Sequence, residues 1–242
     1  MNDPAFILIE PQMGENIGAA ARGMWNFGLR HMRITTPRDG WPNPKAVAMA
    51  SGAGSLLDEA MVVPTTADAV GDLHYLYATT ARPREMTKTV FTPEGAAQDM
   101  ATRIAAGEKV GVLFGPERAG LSNDDVVRAN AIITVPVNPE FSSLNLAQCV
   151  LLMSYEWRRQ RDATPAEAYH TGKTEMAEAI EVDRLIDHVT TDLNDTGFFF
   201  PENKRFSMMT NLANIFRRAP LTDQDVRTLR GVVRALSEKR RL

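Results

Sequence analysis

Ala131-Ile-Ile-Thr-Val-Pro-Val-Asn-Pro-Glu-Phe-Ser-Ser-Leu-Asn-Leu-Ala-Gln-Cys149 is the stretch on which the reading of this chain turns. The run from Ala131 to Val137 is apolar and β-branched, which predicts a buried strand. A polar turn follows at Asn138, and the apolar text after Cys149 (VLLMSYEW) predicts a helix. Two serines, an asparagine and a glutamate are thereby gathered between the carboxyl end of a strand and the amino end of a helix. In open α/β sheets ligands sit there, because free backbone N–H groups and the helix dipole converge at that edge. Pro139 fixes the backbone early in the turn, and Ser142 or Ser143 is expected to cap the helix. A helix cap alone accounts for the serines; two upstream blocks carry the reading further.

The strand pattern recurs along the first 160 residues. Strands are expected at Phe6–Glu10, Met32–Thr35, Met61–Val63, Tyr75–Thr79, Val110–Phe114 and Ala131–Val137. Helical stretches lie between them near Ile17–Phe27, Pro44–Ser51, Ala67–Asp72, Pro93–Gly107 and Asp124–Asn130, and a long one runs from Leu144 to about Arg161. Continuous apolar strands alternating with helices predict a Rossmann-like parallel sheet covered on both faces. This domain is expected to span 1–161, followed by a polar linker at 162–174 and a helical extension at 175–242. Three amphipathic faces mark the extension: Val182, Leu185, Ile186, Val189 and Leu193; Phe206, Met209, Leu212, Ala213 and Phe216; Val226, Leu229, Val233 and Leu236. Thr222 and Asp225 open the third as a capping box, and Phe198-Phe-Phe200 precedes Pro201 between the first two. Helices this short have little core of their own.

Composition bounds the possibilities. Of 242 residues, 44% are hydrophobic and 24% charged, an ordinary globular balance. The single cysteine, Cys149, excludes an internal disulfide and a Cys-based zinc site and fits a reducing cytosol; its helical place suggests a packed thiol. The four histidines show no metal-ligand spacing, so no metal is expected. No long uncharged apolar run suggests a membrane span. The net charge of −3 conceals an asymmetry. Residues 203–242 hold ten Lys/Arg against three Asp/Glu, a balance of +7, and the remainder carries −10. A basic tail on an acidic body suggests a phosphate-bearing partner.

The first upstream block follows the first strand: Pro11-Gln-Met-Gly-Glu-Asn-Ile-Gly18, then Ala-Ala-Ala-Arg22. It contains no dinucleotide fingerprint and no phosphate-binding P-loop. With a helix starting near Ile17, Arg22 falls in its second turn on an otherwise small and apolar helix. Such an Arg is costly to bury unpaired and is expected to face a cleft or an anion. The second block is Leu113-Phe-Gly-Pro-Glu-Arg-Ala-Gly-Leu-Ser122, with Ser122 expected to cap the next helix. Gly115 permits close approach of a ligand to backbone, and Gly120 suits a tight turn. Glu117 either pairs with Arg118 or anchors the site and orients its neighbours.

Together, E-N-I-G-A-A-A-R (15–22), F-G-P-E-R-A-G-L-S (114–122) and N-P-E-F-S-S-L-N-L-A (138–147) resemble the SPOUT superfamily of knotted methyltransferases, in its ribose 2′-O-methylating branch. Thr79-Thr-Ala-Arg82 and the tail segments N-L-A-N-I-F-R-R-A (211–219) and L-R-G-V-V-R-A-L (229–236) resemble the TrmJ-type tRNA methyltransferases. The likeness covers nearly the whole chain. It implies a C-terminal trefoil knot, a homodimer, and S-adenosyl-L-methionine contacting Thr79, Thr80, Ala81, Gly115, Val135, Ser142, Ser143 and Leu144. It implies active-site roles for Asn16, Arg22, Glu117, Ser143 and Asn145, with Arg22 facing the partner's pocket. The implied activity is transfer of a methyl group to the ribose 2′-hydroxyl of cytidine or uridine at position 32 of the tRNA anticodon loop, in the cytoplasm. Arg227, Arg230, Arg234, Lys239, Arg240 and Arg241 in the tail, with Arg22, are expected to hold the RNA backbone. Two other readings remain: a methyltransferase of another tRNA or rRNA position, and an RNA-binding or assembly factor without catalysis.

Overall fold

The computed structural model describes residues 2–81 and 86–238, so Arg82, Lys239, Arg240 and Arg241 lie outside the described residues. The chain divides into two compact units, Met1–Thr164 and Pro165–Leu242.

The first unit is built on β1 (Ala5–Ile9), β2 (Met32–Thr35), β3 (Met61–Val63), β4 (Tyr75–Thr79), β5 (Thr89–Phe91), β6 (Val110–Phe114) and β7 (Ala131–Ile133). They form one seven-stranded sheet in the order β3-β2-β1-β6-β4-β7-β5, and every pairing is parallel. Its helices are α1 (Gly14–Asn26), α2 (Pro44–Ala50), α3 (Gly54–Asp58), α4 (Thr66–Val70), α5 (Pro93–Ala105), α6 (Asn123–Arg128) and α7 (Leu146–Arg159). The period-2 alternation of a strand splits β1 between two cores. Phe6 and Leu8 join Ile17, Met24, Ala97, Met100, Val150 and Trp157 from α1, α5 and α7. Ala5, Ile7 and Ile9 join Ala69, Val70 and Val126 from α4 and α6. The sheet is therefore covered on both faces, which is why its strands read as unbroken apolar runs.

Three local expectations are corrected. The strand expected over 131–137 runs only to Ile133; one more bond to the β5 edge follows, from Thr134 N to Phe91 O, before Pro136, which has no N–H to give a ladder. The edge strand β5 and the short α3 were not expected; β5 is three residues long and mostly exposed, with little apolar signal. The cap of α7 is Asn145, not Ser142 or Ser143: its Oδ1 accepts from Ala147 N at 2.8 Å and Gln148 N at 3.3 Å. Gln148 three residues on completes a capping box, so the helix starts at Leu146. Ser122 caps α6 as expected, exchanging hydrogen bonds with Asp125.

The second unit holds α8 (Ala179–Asp195), α9 (Arg205–Arg218) and α10 (Asp223–Glu238). Leu185, Val189 and Val226 form its small core, with Val182, Leu193, Leu212, Phe216, Leu229 and Val233 packed around it. The Thr222–Asp225 capping box is present. The expected face residues Ile186, Met209 and Ala213 are half-buried but outside this core, and two more, Phe206 and Leu236, are 83% and 65% exposed. Each of these last two sits near a helix end, beyond the reach of the three-residue core.

Candidate active site

At the carboxyl ends of β4, β6 and β7 the chain encloses a pocket. Thr79, Thr80 and Ala81 line one side, the Gly115–Leu121 turn a second, and Val135, Ser142, Ser143 and Leu144 a third. Phe114, Ile133, Leu146 and Cys149 form apolar parts of its lining. All eight positions expected to contact a cofactor line this one pocket. β7 is inserted between β4 and β5, and Thr134 ties the exits together: its N–H donates to Phe91 O at 2.9 Å and its hydroxyl to Thr80 O at 3.0 Å. The Thr79 hydroxyl donates to Leu113 O at 2.8 Å, fixing the β4 exit against β6. Burial pushes the Cys149 thiol up to about 11, so it stays protonated and packs as a small apolar group.

The turn after β6 is shaped by Gly115. A Cβ on this residue would stand 2.2 Å from Leu121 N and 2.4 Å from Gly120 C. The close approach expected there is made by the protein's own turn, which folds back over Gly115; Gly120 N donates to Pro116 O at 2.9 Å. This fold-back leaves Glu117 aimed at α1 instead of at Arg118. Glu117 accepts from Gln12 N at 2.8 Å, Met13 N at 3.1 Å and Asn16 Nδ2 at 2.8 Å. Met13, the N-cap residue of α1, makes no side-chain cap bond of its own. A carboxylate more than 100 residues away caps the helix instead, where the positive end of the helix dipole favours it. Sequence reading missed the part played by the Gln12 and Met13 backbone, since no cap-type residue stands there to announce it.

The hydrogen bonding continues. Asn145 Nδ2 donates to Asn16 Oδ1 at 3.0 Å, while Asn145 Oδ1 caps α7. Glu117, Asn16 and Asn145 therefore join the three sequence blocks into one polar row between the amino ends of α1 and α7. Asn16 lies in the first turn of α1, because that helix starts at Gly14 and not near Ile17. Among the described residues the side chains of Ser142, Ser143, Arg118 and Arg22 make no hydrogen bond or ion pair within the chain. Ser142, Ser143 and Arg118 line the pocket. Arg22 is exposed on α1 and does not line it. In the tail, Arg227 is engaged by Asp223 at 2.5 Å, an i,i+4 pair, and by Gln224 at 3.2 Å, so it is not a free cation; Arg230 has no such partner among the described residues.

A mixed lining, with apolar walls from Phe114, Ile133, Leu144 and Leu146 and polar groups from Ser142, Ser143 and Arg118, suits a nucleoside-type ligand, which needs van der Waals contact and a few directional bonds. No group of side chains among the described residues is arranged to hold a metal ion, and no described helix is long and apolar enough to cross a membrane.

Comparison with known proteins agrees with this geometry. Residues 3–155 match the SpoU rRNA Methylase family, and residues 180–242 match the tRNA methyltransferase TrmJ, C-terminal domain. The chain is 33% identical to tRNA (cytidine/uridine/adenosine-2′-O-)-methyltransferase TrmJ of Pseudomonas aeruginosa (strain UCBPP-PA14), over 97% of this chain and 96% of that protein. It is 30% identical to the tRNA (cytidine/uridine-2′-O-)-methyltransferase TrmJ of Klebsiella pneumoniae, with the same coverage. The crystal structure of TrmJ from Z. mobilis ZM4 superposes with a TM-score of 0.85 at 48% identity, covering 97% of this chain and 99% of that one.

Proposed function

The chain belongs to the SpoU rRNA Methylase family, and from that premise we propose that it is a tRNA methyltransferase. It transfers a methyl group from S-adenosyl-L-methionine to the ribose 2′-hydroxyl of cytidine or uridine at position 32 of the anticodon loop. The observation that carries this reading is the Glu117–Asn16–Asn145 row, which binds the three signature blocks around one pocket. The TrmJ-type tail, and full-length relatives named as tRNA enzymes, support tRNA over ribosomal RNA.

When bound, S-adenosyl-L-methionine supplies an electrophilic methyl on a sulfonium centre. Thr79, Thr80, Ala81, Gly115, Val135, Ser142, Ser143 and Leu144, which line the pocket, would hold it, with the free hydroxyls of Ser142 and Ser143 as directional contacts. Glu117, Asn16 and Asn145 act as positioning residues, since their polar atoms are occupied by one another and by helix ends. Of the five residues given active-site roles, Ser143 and Arg22 are the two whose side chains stay free to meet substrate. Arg22 is not a proton acceptor, because a guanidinium carries only N–H donors. It serves as a two-pronged clamp on a phosphate beside the reacting ribose, orienting the 2′-oxygen. The proton displaced from the 2′-hydroxyl would pass to a phosphate oxygen or water.

Arg22 lies outside its own chain's pocket, so the reading includes a homodimer in which each copy lends Arg22 to the other. Exposed apolar residues on α1 and α7 (Trp25, Leu151, Leu152, Tyr155) support such an interface. The same reading places a trefoil knot where residues 134–145 leave β7 between β4 and β5, and locates the enzyme in the cytoplasm, where the unpaired Cys149 fits. The test is methyl transfer to bulk tRNA, followed by nucleoside mass spectrometry and position mapping. A 2′-O-methyl pyrimidine at position 32 is expected. A mark at another tRNA position or in rRNA refutes the assignment of position, and no methyl transfer refutes the enzyme.

A further inference from the structure

Phe200, on the bend that joins α8 to α9, and Phe206, in the first turn of α9, are 81% and 83% exposed. Large rings left so open are unusual on a soluble surface and mark a contact site. The bend is not loose. Phe198 N donates to Leu193 O at 3.1 Å, Phe200 N to Phe198 O at 3.0 Å, and Lys204 N to Pro201 O at 2.9 Å. Phe199 is buried and anchors the segment, its ring met edge-on by Phe198 at 5.4 Å and covered by the Arg205 guanidinium at 5.6 Å. Two rings are therefore presented on a fixed support beside two cations, Lys204 and Arg205; Lys204 has no partner among the described residues.

Charge selects the kind of partner. Between residues 196 and 218, Lys204, Arg205, Arg217 and Arg218 face a single acid, Glu202. The preceding helix carries Glu181, Asp183, Asp187, Asp192 and Asp195 against Arg184. Arg217 is paired with Asp183 of α8 at 2.6 Å, so a phosphodiester chain is drawn to the bend itself, where Lys204 and Arg205 stand against Glu202. Lysine is depleted at protein–protein interface cores, whereas exposed aromatics set among cations are the pattern of single-stranded nucleic-acid binding. We infer that Phe200 and Phe206, with Lys204 and Arg205, form a nucleobase-stacking platform for an unpaired stretch of RNA. This rests on the reading of the chain as an RNA-modifying enzyme and adds where the tail grips its substrate, apart from the α10 arginines.

The test compares the native full-length chain with the double variants F200A/F206A and F200L/F206L, each checked for native circular dichroism. Affinity is measured for tRNA, for single-stranded oligo(U) and for S-adenosyl-L-methionine, and mass is measured by sedimentation. The alanine pair is expected to weaken tRNA and oligo(U) binding roughly 10- to 100-fold, as loss of one or two stacked bases does, with cofactor affinity native. The leucine pair, apolar but without a ring face, is expected to recover little. Native RNA affinity in the alanine pair, or full recovery with leucine, overturns the platform. A change in mass with RNA affinity falling only in step with it identifies a protein-docking face and also overturns it. If the native chain methylates no tRNA yet binds oligo(U) through these rings, the enzyme reading fails and the platform stands.

Discussion

Asn145 donates through Nδ2 to Asn16 Oδ1 at 3.0 Å, across 129 residues of sequence, and this bond fixes the orientation of both amides. A carboxylate only accepts, so Asn16 presents Nδ2 to Glu117 and its oxygen to Asn145. The backbone N–H groups of Ala147 and Gln148 only donate, so Asn145 presents its oxygen to them and Nδ2 to Asn16. The two ends of the row agree on one arrangement, and each amide has a single orientation that satisfies it.

Asn145→Asp separates the cap from the row. Aspartate caps helix N-termini as well as asparagine and is favoured by the dipole, but it sets an oxygen against Asn16 Oδ1. Stability is expected to change by about 1 kcal/mol or less, while kcat/KM for methyl transfer falls roughly 10- to 100-fold through misplacement of the turn. Asn145→Ala loses both functions and is expected to lower the thermal midpoint further. Calorimetric melting beside single-turnover kinetics checks the pair; an active aspartate variant refutes the positioning role.

Arg22→Lys keeps the charge and discards the planar fork. Most of the rate is expected to disappear, by about 100-fold, because a point charge does not reproduce a two-pronged grip. Near-native turnover in the lysine variant sinks the clamp. Mixing Arg22→Ala with Ser143→Ala chains adds a second check, since a hybrid of the proposed dimer would hold one site with both residues intact. Recovery of a substantial fraction of activity on mixing is expected; two silent variants that stay silent when mixed argue against a shared site.

Gly115→Ala drives a Cβ to 2.2 Å from Leu121 N and 2.4 Å from Gly120 C, backbone atoms with no rotamer to yield. A cost of about 1–3 kcal/mol is expected, with cofactor affinity weakened about tenfold or more as the turn shifts. Gly52→Ala serves as control, since an added Cβ there meets nothing within 4 Å. Isothermal titration and denaturant melts on both variants distinguish a turn-specific effect from a general one.

Arg33, 5% exposed, donates to Ala69 O at 2.6 Å and to both Asp72 oxygens at 2.5 and 3.1 Å. These bonds hold the Asp72 carboxyl below its usual range. A depressed folded value means the stabilisation is full above the unfolded pKa of about 3.9 and is lost as pH falls through the lower folded value. Asp72→Asn is expected to cost about 1–3 kcal/mol at pH 7, discounted from a fully buried pair because Asp72 is half-exposed. The difference from native should narrow below about pH 4. Urea midpoints across pH 3–7 test this; a gap that does not change with pH removes Asp72 ionisation as its cause.

How legible the molecule was depended on the range of the interaction concerned. The Ser122–Asp125 and Thr222–Asp225 caps span three residues and stood plainly in the text. The α7 cap was misplaced by two or three residues, because Ser142, Ser143 and Asn145 are all good cap residues and only the course of the chain after Pro136 and Pro139 chooses among them. Phe206 fitted a helical face by spacing, yet its ring has no core to enter.

The sequence by itself determined the alternation of strands and helices, the parallel sheet with two covered faces, and the three polar blocks at strand exits. Those follow from the 2.0 and 3.6 periodicities and from cap residues, all of them local. Tertiary structure decided what the blocks do to one another: β7 inserted between β4 and β5, the turn folded over Gly115, and Glu117 capping α1 from 104 residues beyond Met13. The physical reason is that a hydrogen bond takes its partner from space, and no periodicity in the chain records which distant N–H a carboxylate will meet.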